Sequence, residues 1–280
     1  MNRLRTLEMT LYDRLRIPRL VWHERLFRHR RRRILFSPMP GWEEHIRAGF
    51  SYTHHEIAFR KLSPEVIQEY DLVVPLTIDD LKYLNGVSDL IAGNPLPIPR
   101  LESIELCDDK YRFNQMLQDN GFGAFIPQMG GRLAFPYVVK KRIDAYGQSC
   151  RIIRDAGDEA ACAGILADPE YFTQQLVTGT NEYATHILFK DRRIRCWLNV
   201  EYTFGTPTPI KGKDKELVRR ACRCPHLALF AEILKTIGFE GLCCLNYKES
   251  DRGELMIMEN NPRFGGSLAR YFFGFVKYLD

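Results

Sequence analysis

Oxygen-bearing side chains cluster in two strand-like runs near the carboxyl end of the chain. Residues 242–248 and 255–261 have the composition of strands, and the Asp-Arg-Gly sequence between them is typical of a hairpin turn. Such a hairpin places Asn246 opposite Glu259, and the alternation of side chains along a strand puts Asn261 on the same face. Carboxylate and amide oxygens are ligands that Mg²⁺ accepts, together with phosphate oxygens of a substrate. The pattern predicts a metal site or, alternatively, a solvated ribbon at a sheet edge.

A sequence that suits anion binding follows the second run directly. Gly265 and Gly266 allow backbone N–H groups to approach a ligand, and Ser267 can cap a helix that we predict from residue 268 towards residue 278. Arg263 adds a fixed positive charge beside them. A metal site that leads straight into an anion site is what metal-assisted phosphate chemistry requires.

Residues 259–267, with the sequence Glu-Asn-Asn-Pro-Arg-Phe-Gly-Gly-Ser, resemble the E-x-N-P-R-x-G-G-S signature of the ATP-grasp superfamily. Biotin carboxylase, carbamoyl phosphate synthetase and D-alanine-D-alanine ligase belong to that family. The resemblance extends over residues 100–280. It implies an α+β ATP-grasp fold, in which two lobes clasp ATP, and one or two Mg²⁺ or Mn²⁺ ions held by Glu259, Asn261 and Asn246.

Motifs that contact ATP in this family have counterparts upstream, in the same order. The resemblance assigns phosphate contacts to Lys110 and Lys140, and the ribose contact to Glu182. The adenine-contacting strand is assigned to Gln174, Gln175, Leu176 and Val177, and the flap over the phosphates to residues 144–149, which include Gly147 and Ser149.

The reaction implied by the resemblance is ATP-dependent ligation, most simply formation of a carbon–nitrogen bond. A substrate carboxylate attacks the γ-phosphorus, ADP leaves, and an amine or other nucleophile displaces phosphate from the acylphosphate. Lys140 and Arg263 are then the catalytic side chains, and Gly265, Gly266 and Ser267 hold the acceptor carboxylate or phosphate. Two alternatives stay open, a phosphotransferase on the same fold and a non-catalytic nucleotide-binding module that docks through a basic arm.

Three positions depart from the family pattern. The flap is poorer in glycine than in relatives, and Asn246 is neutral where many relatives have a carboxylate. Asn260 replaces an apolar residue, and its side chain is expected to point away from the metal face into a position that needs a hydrogen-bond partner.

The remaining sequence predicts three units. Residues 1–33 form a basic amphipathic helical arm, residues 34–98 a small α/β pre-grasp domain with parallel strands, and residues 99–280 the ATP-grasp domain, with a central lobe at 99–172 and a C-terminal lobe at 173–280. Within these units we predict strands at 34–36, 71–76, 136–143, 171–177, 182–190 and 194–202, helices at 79–84, 108–121 and 222–236, and a proline-rich linker at 93–99.

Charge is distributed unevenly along the 280 residues. The formal net charge of +5 arises from the arm, which holds eleven arginines and three acidic residues, while the rest of the chain is slightly acidic. No apolar run is long enough to span a membrane and no secretory signal is present, so we expect a soluble cytoplasmic protein. Its eight cysteines contain no C-x-x-C pair, and we expect reduced structural thiols.

The expected partners are small molecules, a carboxylate and a nucleophile. Nucleic acid is not expected, because interleaved basic and aromatic strands are missing from the sequence. An anionic partner for the arm and a homodimer both stay open.

Overall fold

The fold is described by a computed structural model that covers Trp22 and residues 30–144, 147–250 and 253–279. The predicted arm therefore lies mostly outside the described residues, although Arg33 is the first residue of a strand. The described part of the chain contains three sheets and the helices that pack against them. Among its helices, none combines the length and the apolar character that crossing a membrane requires.

The first sheet is parallel, as the sequence predicts, but it has three strands where the sequence predicts two. Its strands β1 (Arg33–Phe36), β2 (Glu56–Phe59) and β3 (Leu72–Val74) lie in the order β2-β1-β3. Helices α1 (Glu43–Phe50), α2 (Pro64–Ile67) and α3 (Ile78–Gly86) connect or follow the strands. Both faces of β1 and β3 are buried, which explains their continuous apolar sequences.

The second sheet is antiparallel, with strands β4 (Tyr137–Lys141), β5 (Arg151–Ile153) and β6 (Tyr171–Gln175) in the order β5-β4-β6. Two helices precede it, α4 (Leu101–Asp108) and α5 (Lys110–Leu117), and two short helices, α6 (Ala156–Ala161) and α7 (Ala163–Leu166), lie between β5 and β6. The lobe boundary expected between residues 172 and 173 falls inside β6.

The helix predicted over residues 108–121 is shorter and begins later. Asp109 caps α5 by accepting hydrogen bonds from the backbone N–H groups of Tyr111 and Arg112. The helix ends at Leu117, and Gly121 takes a positive φ of 83° in the turn that follows.

The third sheet is antiparallel and has five strands in the order β11-β10-β7-β8-β9. Its strands are β7 (Asn181–Lys190), β8 (Arg193–Phe204), β9 (Glu216–Cys222), β10 (Gly241–Glu249) and β11 (Leu255–Asn261), and helix α8 (Leu227–Thr236) packs against it. The prediction of a helix from residue 222 is wrong, because that residue ends β9. This strand lies at the sheet edge with most of its side chains at least partly exposed, so its sequence lacks a buried, alternating face.

The hairpin of β10 and β11 has the predicted pairing at its polar residues. Asn246 lies opposite Glu259, and Cys244 lies opposite Asn261. Nearer the turn, Tyr247 pairs with Ile257, and a bulge at Met258 shifts the register by one residue. The bulge is therefore what brings Asn246 opposite the glutamate.

The segment after β11 differs from the predicted helix over residues 268–278. It forms a 3₁₀ turn at Gly266–Leu268 and then a four-residue helix, α9 (Phe273–Val276). Phe272, Phe273 and Phe275 are all buried, in a core shared by the first sheet, α1 and the five-stranded sheet. Successive buried aromatic residues do not suit one long helix with a solvent-exposed face.

Close packing of α1 against this segment predicts the effect of a small substitution. Gly49→Ala should lower the free energy of unfolding by about 1–3 kcal/mol, because the new Cβ would lie 2.4 Å from the carbonyl oxygen of Arg270. Gly86→Ala in α3 is the matched control, since no atom lies within 4 Å of its added Cβ. Urea unfolding of both variants measures the difference. Equal losses of stability would contradict the packing of α1.

Candidate functional site

The three predicted metal ligands lie together around the Glu259 carboxylate. Asn246 donates a hydrogen bond of 2.6 Å to Glu259 Oε1, and Asn261 donates one of 2.9 Å to the same oxygen. Cross-strand pairing supplies Asn246, and the alternation of side chains along β11 supplies Asn261. The intervening Asn260 is fully buried on the opposite face, where its amide donates to Cys107 Sγ at 3.3 Å.

Lys110, the first residue of α5, reaches the same carboxylate. Its Nζ atom lies 3.3 Å from Glu259 Oε2 and donates a 2.6 Å hydrogen bond to the carbonyl of Asp144. The cap at Asp109 fixes the start of the helix, and an ion pair of 2.6 Å between Asp109 and Arg142 ties that start to the end of β4. Lys110 is thus held between the hairpin and the predicted flap.

Lys211 is a site residue that the sequence does not reveal. It lies in the irregular connection between β8 and β9, where no periodic pattern marks it. Its Nζ atom lies 3.1 Å from Asn246 Oδ1 and 3.4 Å from Glu182 Oε1. Burial disfavours its charged form, but Glu182 and its other anionic neighbours outweigh this and raise its pKa.

These contacts keep Glu259 ionised although it is largely buried. Burial alone would raise the pKa of its carboxyl, but Lys110, the amides of Asn261 and Asn246, and Lys211 lower it to about 2. A carboxylate held in this state can bind a cation at any physiological pH.

Lys140 and Lys141 point to opposite faces of β4, as alternation requires. Lys140 Nζ donates a 2.7 Å hydrogen bond to the buried Gln174 on the neighbouring strand β6, and burial lowers the pKa of this lysine. Lys141 instead forms a 3.3 Å ion pair with the exposed Glu170. Only Lys140 faces the interior between the sheets.

The predicted adenine-contacting strand and ribose-contacting glutamate lie next to another buried lysine. Lys248 is opposite Glu182 in the pairing of β10 and β7, and its Nζ atom donates to the carbonyl of Val177 at 3.4 Å. Gln175, in the predicted adenine-contacting strand, donates its backbone N–H to the carbonyl of Gln128 at 2.8 Å. Leu176, between Gln175 and Val177, is partly buried. The sequence did not single out Lys248.

The predicted flap contacts the connection between β8 and β9. The N–H of Ser149 donates to Asp144 Oδ2 at 2.9 Å, which stabilises the turn. A Cβ on Gly147, whose φ is 63°, would lie 3.0 Å from the carbonyl oxygen of Lys211, and Lys213 Nζ donates to the carbonyl of Cys150 at 2.7 Å. Residues 145 and 146 of the flap lie outside the described residues, and residues 147–150 lie against the connection between β8 and β9.

The predicted anion-binding residues take a different form from the one expected. Gly265 and Gly266 face side chains, because added Cβ atoms would lie 2.5 Å from the ring of His186 and 2.9 Å from the indole of Trp42. Ser267 caps no helix, and its Oγ atom lies 2.6 Å from His186 Nε2. Arg263, half-buried, donates to the carbonyl of Phe264 at 3.1 Å. The prediction that Ser267 caps a long helix is therefore wrong, and its hydroxyl contacts His186 instead.

The donor set fits a magnesium ion that shares its coordination with phosphates. Glu259 is the one carboxylate among the three predicted ligands, and Asn246 and Asn261 each carry an amide oxygen, while their amide nitrogens donate to Glu259. Among the residues described, no group of three or more histidine, cysteine or acidic side chains could hold a metal ion. A metal at this site would therefore need ligands from a substrate. Mg²⁺ commonly takes one or two carboxylates and completes its shell with water and substrate phosphates.

The charges around the site favour an anionic ligand. Two of its carboxylates are those of Glu182, which is buried, and Glu259, which is half-buried. The cations that surround them are Lys110, Lys140, Lys211, Lys248 and Arg263. A triphosphate with its metal ion would balance this excess of positive charge.

No family model matches the chain, and no curated protein matches it. Solved structures do share its fold. L-amino acid ligase from Bacillus licheniformis is 16% identical, with a TM-score of 0.57 over 87% of this chain and 70% of that chain. D-alanine-D-alanine ligase from Bacillus anthracis is 14% identical, with a TM-score of 0.58 over 86% and 89%. Biotin carboxylase from Campylobacter jejuni is 11% identical, with a TM-score of 0.57 over 92% and 65%.

The low pKa of Glu259 predicts a pH-dependent contribution to stability. Because the folded-state pKa is about 2 and the ordinary value is 4.5, the ionised carboxylate stabilises the fold above about pH 4.5, and this gain is lost as pH falls towards 2. Wild type should exceed Glu259→Gln in stability by up to about 3 kcal/mol at neutral pH, with a shrinking difference in acid.

Urea unfolding across this pH range measures the difference between the two proteins. Glu232→Gln, on the exposed face of α8, is the control, since a surface pair with Lys235 contributes little. A Glu259→Gln effect that does not change with pH would contradict the assigned charge balance.

Proposed function

We propose that this chain, whose fold is that of the ATP-grasp enzymes, is an ATP-dependent ligase that activates a substrate carboxylate as an acylphosphate. ADP is released in the first step, and an amine or another nucleophile attacks in the second. A carbon–nitrogen bond is the most direct product of this chemistry. The neighbours named above include two ligases and a carboxylase, which supports the reaction class.

The observation that carries the proposal is the arrangement around Glu259. One ionised carboxylate is contacted by two amides and a lysine, with a second lysine bound to one of the amides. Phosphoryl transfer depends on positioning and on charge neutralisation more than on a covalent nucleophile. An ionised carboxylate for a cation, surrounded by lysines for phosphates, meets both needs.

In the proposed first step, a carboxylate oxygen attacks the γ-phosphorus and the bond from that phosphorus to the β–γ bridging oxygen breaks. Lys110, Lys140 and Lys211 would contact phosphate oxygens, with Arg263 beside the transferred group. Mg²⁺, held by Glu259, Asn261 and Asn246, would supply neutralisation of phosphate charge. In the second step, an amine nitrogen attacks the acyl carbon, the carbon–oxygen bond to phosphate breaks, and the amine loses a proton.

A carboxylate acceptor suits the site better than a hydroxyl. A carboxylate is already ionised at neutral pH, whereas a hydroxyl needs a base to remove its proton. Glu182 and Glu259 both pair with lysines. The contacts of Glu259 lower its pKa to about 2 and so make it a weak base, which favours a ligase over a phosphotransferase.

The first experiment measures ADP release from Mg-ATP with a panel of carboxylates, each with and without amines. The standard twenty L-amino acids can serve as both. Hydroxylamine is included, because it converts an acylphosphate into a stable hydroxamate. We expect carboxylate-dependent ADP release and hydroxamate formation. Stable phosphate transfer to an alcohol would instead indicate a phosphotransferase, and nucleotide binding without turnover a binding module.

Two adjacent lysines allow a matched test of the phosphate site. Lys140→Ala should lower carboxylate-dependent ADP release by at least about 100-fold, because the inward-facing ammonium is lost. Lys141→Ala on the opposite face of β4 should leave it within about two-fold, since only an exposed ion pair is removed. Equal activity in the two variants would overturn the placement of ATP on this face.

Metal dependence tests the hairpin separately from turnover. Mg²⁺ should tighten ADP binding to the wild type, as measured by calorimetry with and without a chelator. Glu259→Gln and Asn261→Ala should lose most of this gain while still binding ADP without metal. Glu254→Gln, at the exposed end of the hairpin, is the control. A full Mg²⁺ effect in Glu259→Gln would exclude that residue as a ligand.

A further inference from the structure

The ring of His186 occupies a tightly packed position between β10 and the loop after β11. The residue is 1% exposed. Its Nε2 atom lies 4.0 Å from Cys244 Sγ, and a Cβ on Gly265 would stand 2.5 Å from its Cε1 atom. The packing fixes the orientation of the ring and explains why the adjacent loop has glycine there.

The two ring nitrogens of His186 have different surroundings. Nε2 lies 2.6 Å from Ser267 Oγ, a short hydrogen bond. Nδ1 is buried and has no hydrogen-bond partner among the described residues. Ser267 itself is half-buried and belongs to the loop that begins at Arg263.

Burial, together with two positively charged neighbours, keeps the ring neutral. Burial, reinforced by Lys211 and Arg263, lowers the pKa of His186 to about 3. The thiol of Cys244 beside it is uncharged as well, because burial raises its pKa to about 12. A neutral imidazole carries one N–H, which must be either on Nδ1 or on Nε2.

The unpartnered nitrogen decides between these two tautomers. A hydrogen on Nδ1 would be buried without an acceptor, and such orphaned N–H groups are rare in folded proteins. A hydrogen on Nε2 is donated to Ser267 Oγ. The serine then accepts with one lone pair, and its own hydroxyl hydrogen stays available to another acceptor.

We propose that His186 is a positioning residue that donates from Nε2 to Ser267 Oγ and so presents the serine hydroxyl as a donor to an anionic oxygen of the substrate. This inference rests on the proposed function and deepens it, because it names the residue that orients Ser267 towards a carboxylate oxygen of the substrate. A protonated amine is disfavoured there, because Lys211 and Arg263 already place positive charge beside His186. Arg263 on the same loop adds positive charge that matches this selection.

Nitrogen NMR of the full chain, labelled with [¹⁵N]histidine, tests the tautomer directly. The chain has seven histidines, and the ring signal that disappears in His186→Gln identifies the residue. His45→Gln, on the exposed side of α1, is the control for the assignment. We expect the Nε2–H tautomer at neutral pH and no protonation down to about pH 5. An Nδ1–H tautomer, or protonation near the ordinary pKa of 6.5, would overturn the inference.

Kinetics with the carboxylate identified by the panel tests the consequence for binding. His186→Leu and Ser267→Ala should each raise the KM for that carboxylate about ten-fold, which is the loss of one hydrogen bond to a charged group. The double variant should be no worse, and the KM for ATP should stay within about two-fold. His186→Gln should restore most of the affinity, because its amide can donate to the same hydroxyl.

An unchanged carboxylate KM in His186→Leu, or additive losses in the double variant, would contradict the positioning role. If no carboxylate supports ADP release by the wild type, the proposed function fails, and the NMR result still decides the state of His186. The two failures are therefore distinguishable.

Discussion

A half-buried carboxylate that stays ionised, that of Glu259, governs the site. Removing a carboxylate from water is strongly unfavourable unless cations and hydrogen-bond donors replace the lost hydration. For Glu259 the replacement comes from separate parts of the chain: Lys110 at the start of a helix, Asn246 across the hairpin, Asn261 two residues along the strand, and Lys211 nearby in a long connection. Four separate positions in the chain thus interact with one negative charge.

Other features of the fold position the residues that contact Glu259. The cap at Asp109 and its ion pair with Arg142 fix the point from which Lys110 extends. The bulge at Met258 sets the register that brings Asn246 to the glutamate. The flap and the connection that carries Lys211 contact each other, so the cations of the two lobes reach one cleft. Local backbone features thus control the electrostatics of the site.

The sequence predicts features that depend on neighbouring residues, and it fails for features that depend on contacts between residues far apart in the chain. Alternation requires the neighbours Lys140 and Lys141 to point to opposite faces, as they do, and hairpin pairing correctly places Asn246 opposite Glu259. Lys211 and His186 carry no such signal, since Lys211 lies in an irregular connection and the partners of His186, Cys244 and Ser267, are distant in sequence. The predicted helix after residue 268 was wrong for the same kind of reason. The first sheet, far away in sequence, covers the aromatic residues of that segment.

The apolar cores divide the described residues into two packing units. The first sheet and the five-stranded sheet pack into one continuous apolar core, whereas the sheet of β4 to β6 has a small apolar cluster of its own. Helix α5 packs with the large sheet through Phe113 and Leu117. Its first residue, Lys110, is nevertheless bound to the carbonyl of Asp144, which follows β4. The start of α5 therefore links the two packing units at the residue that pairs with Glu259.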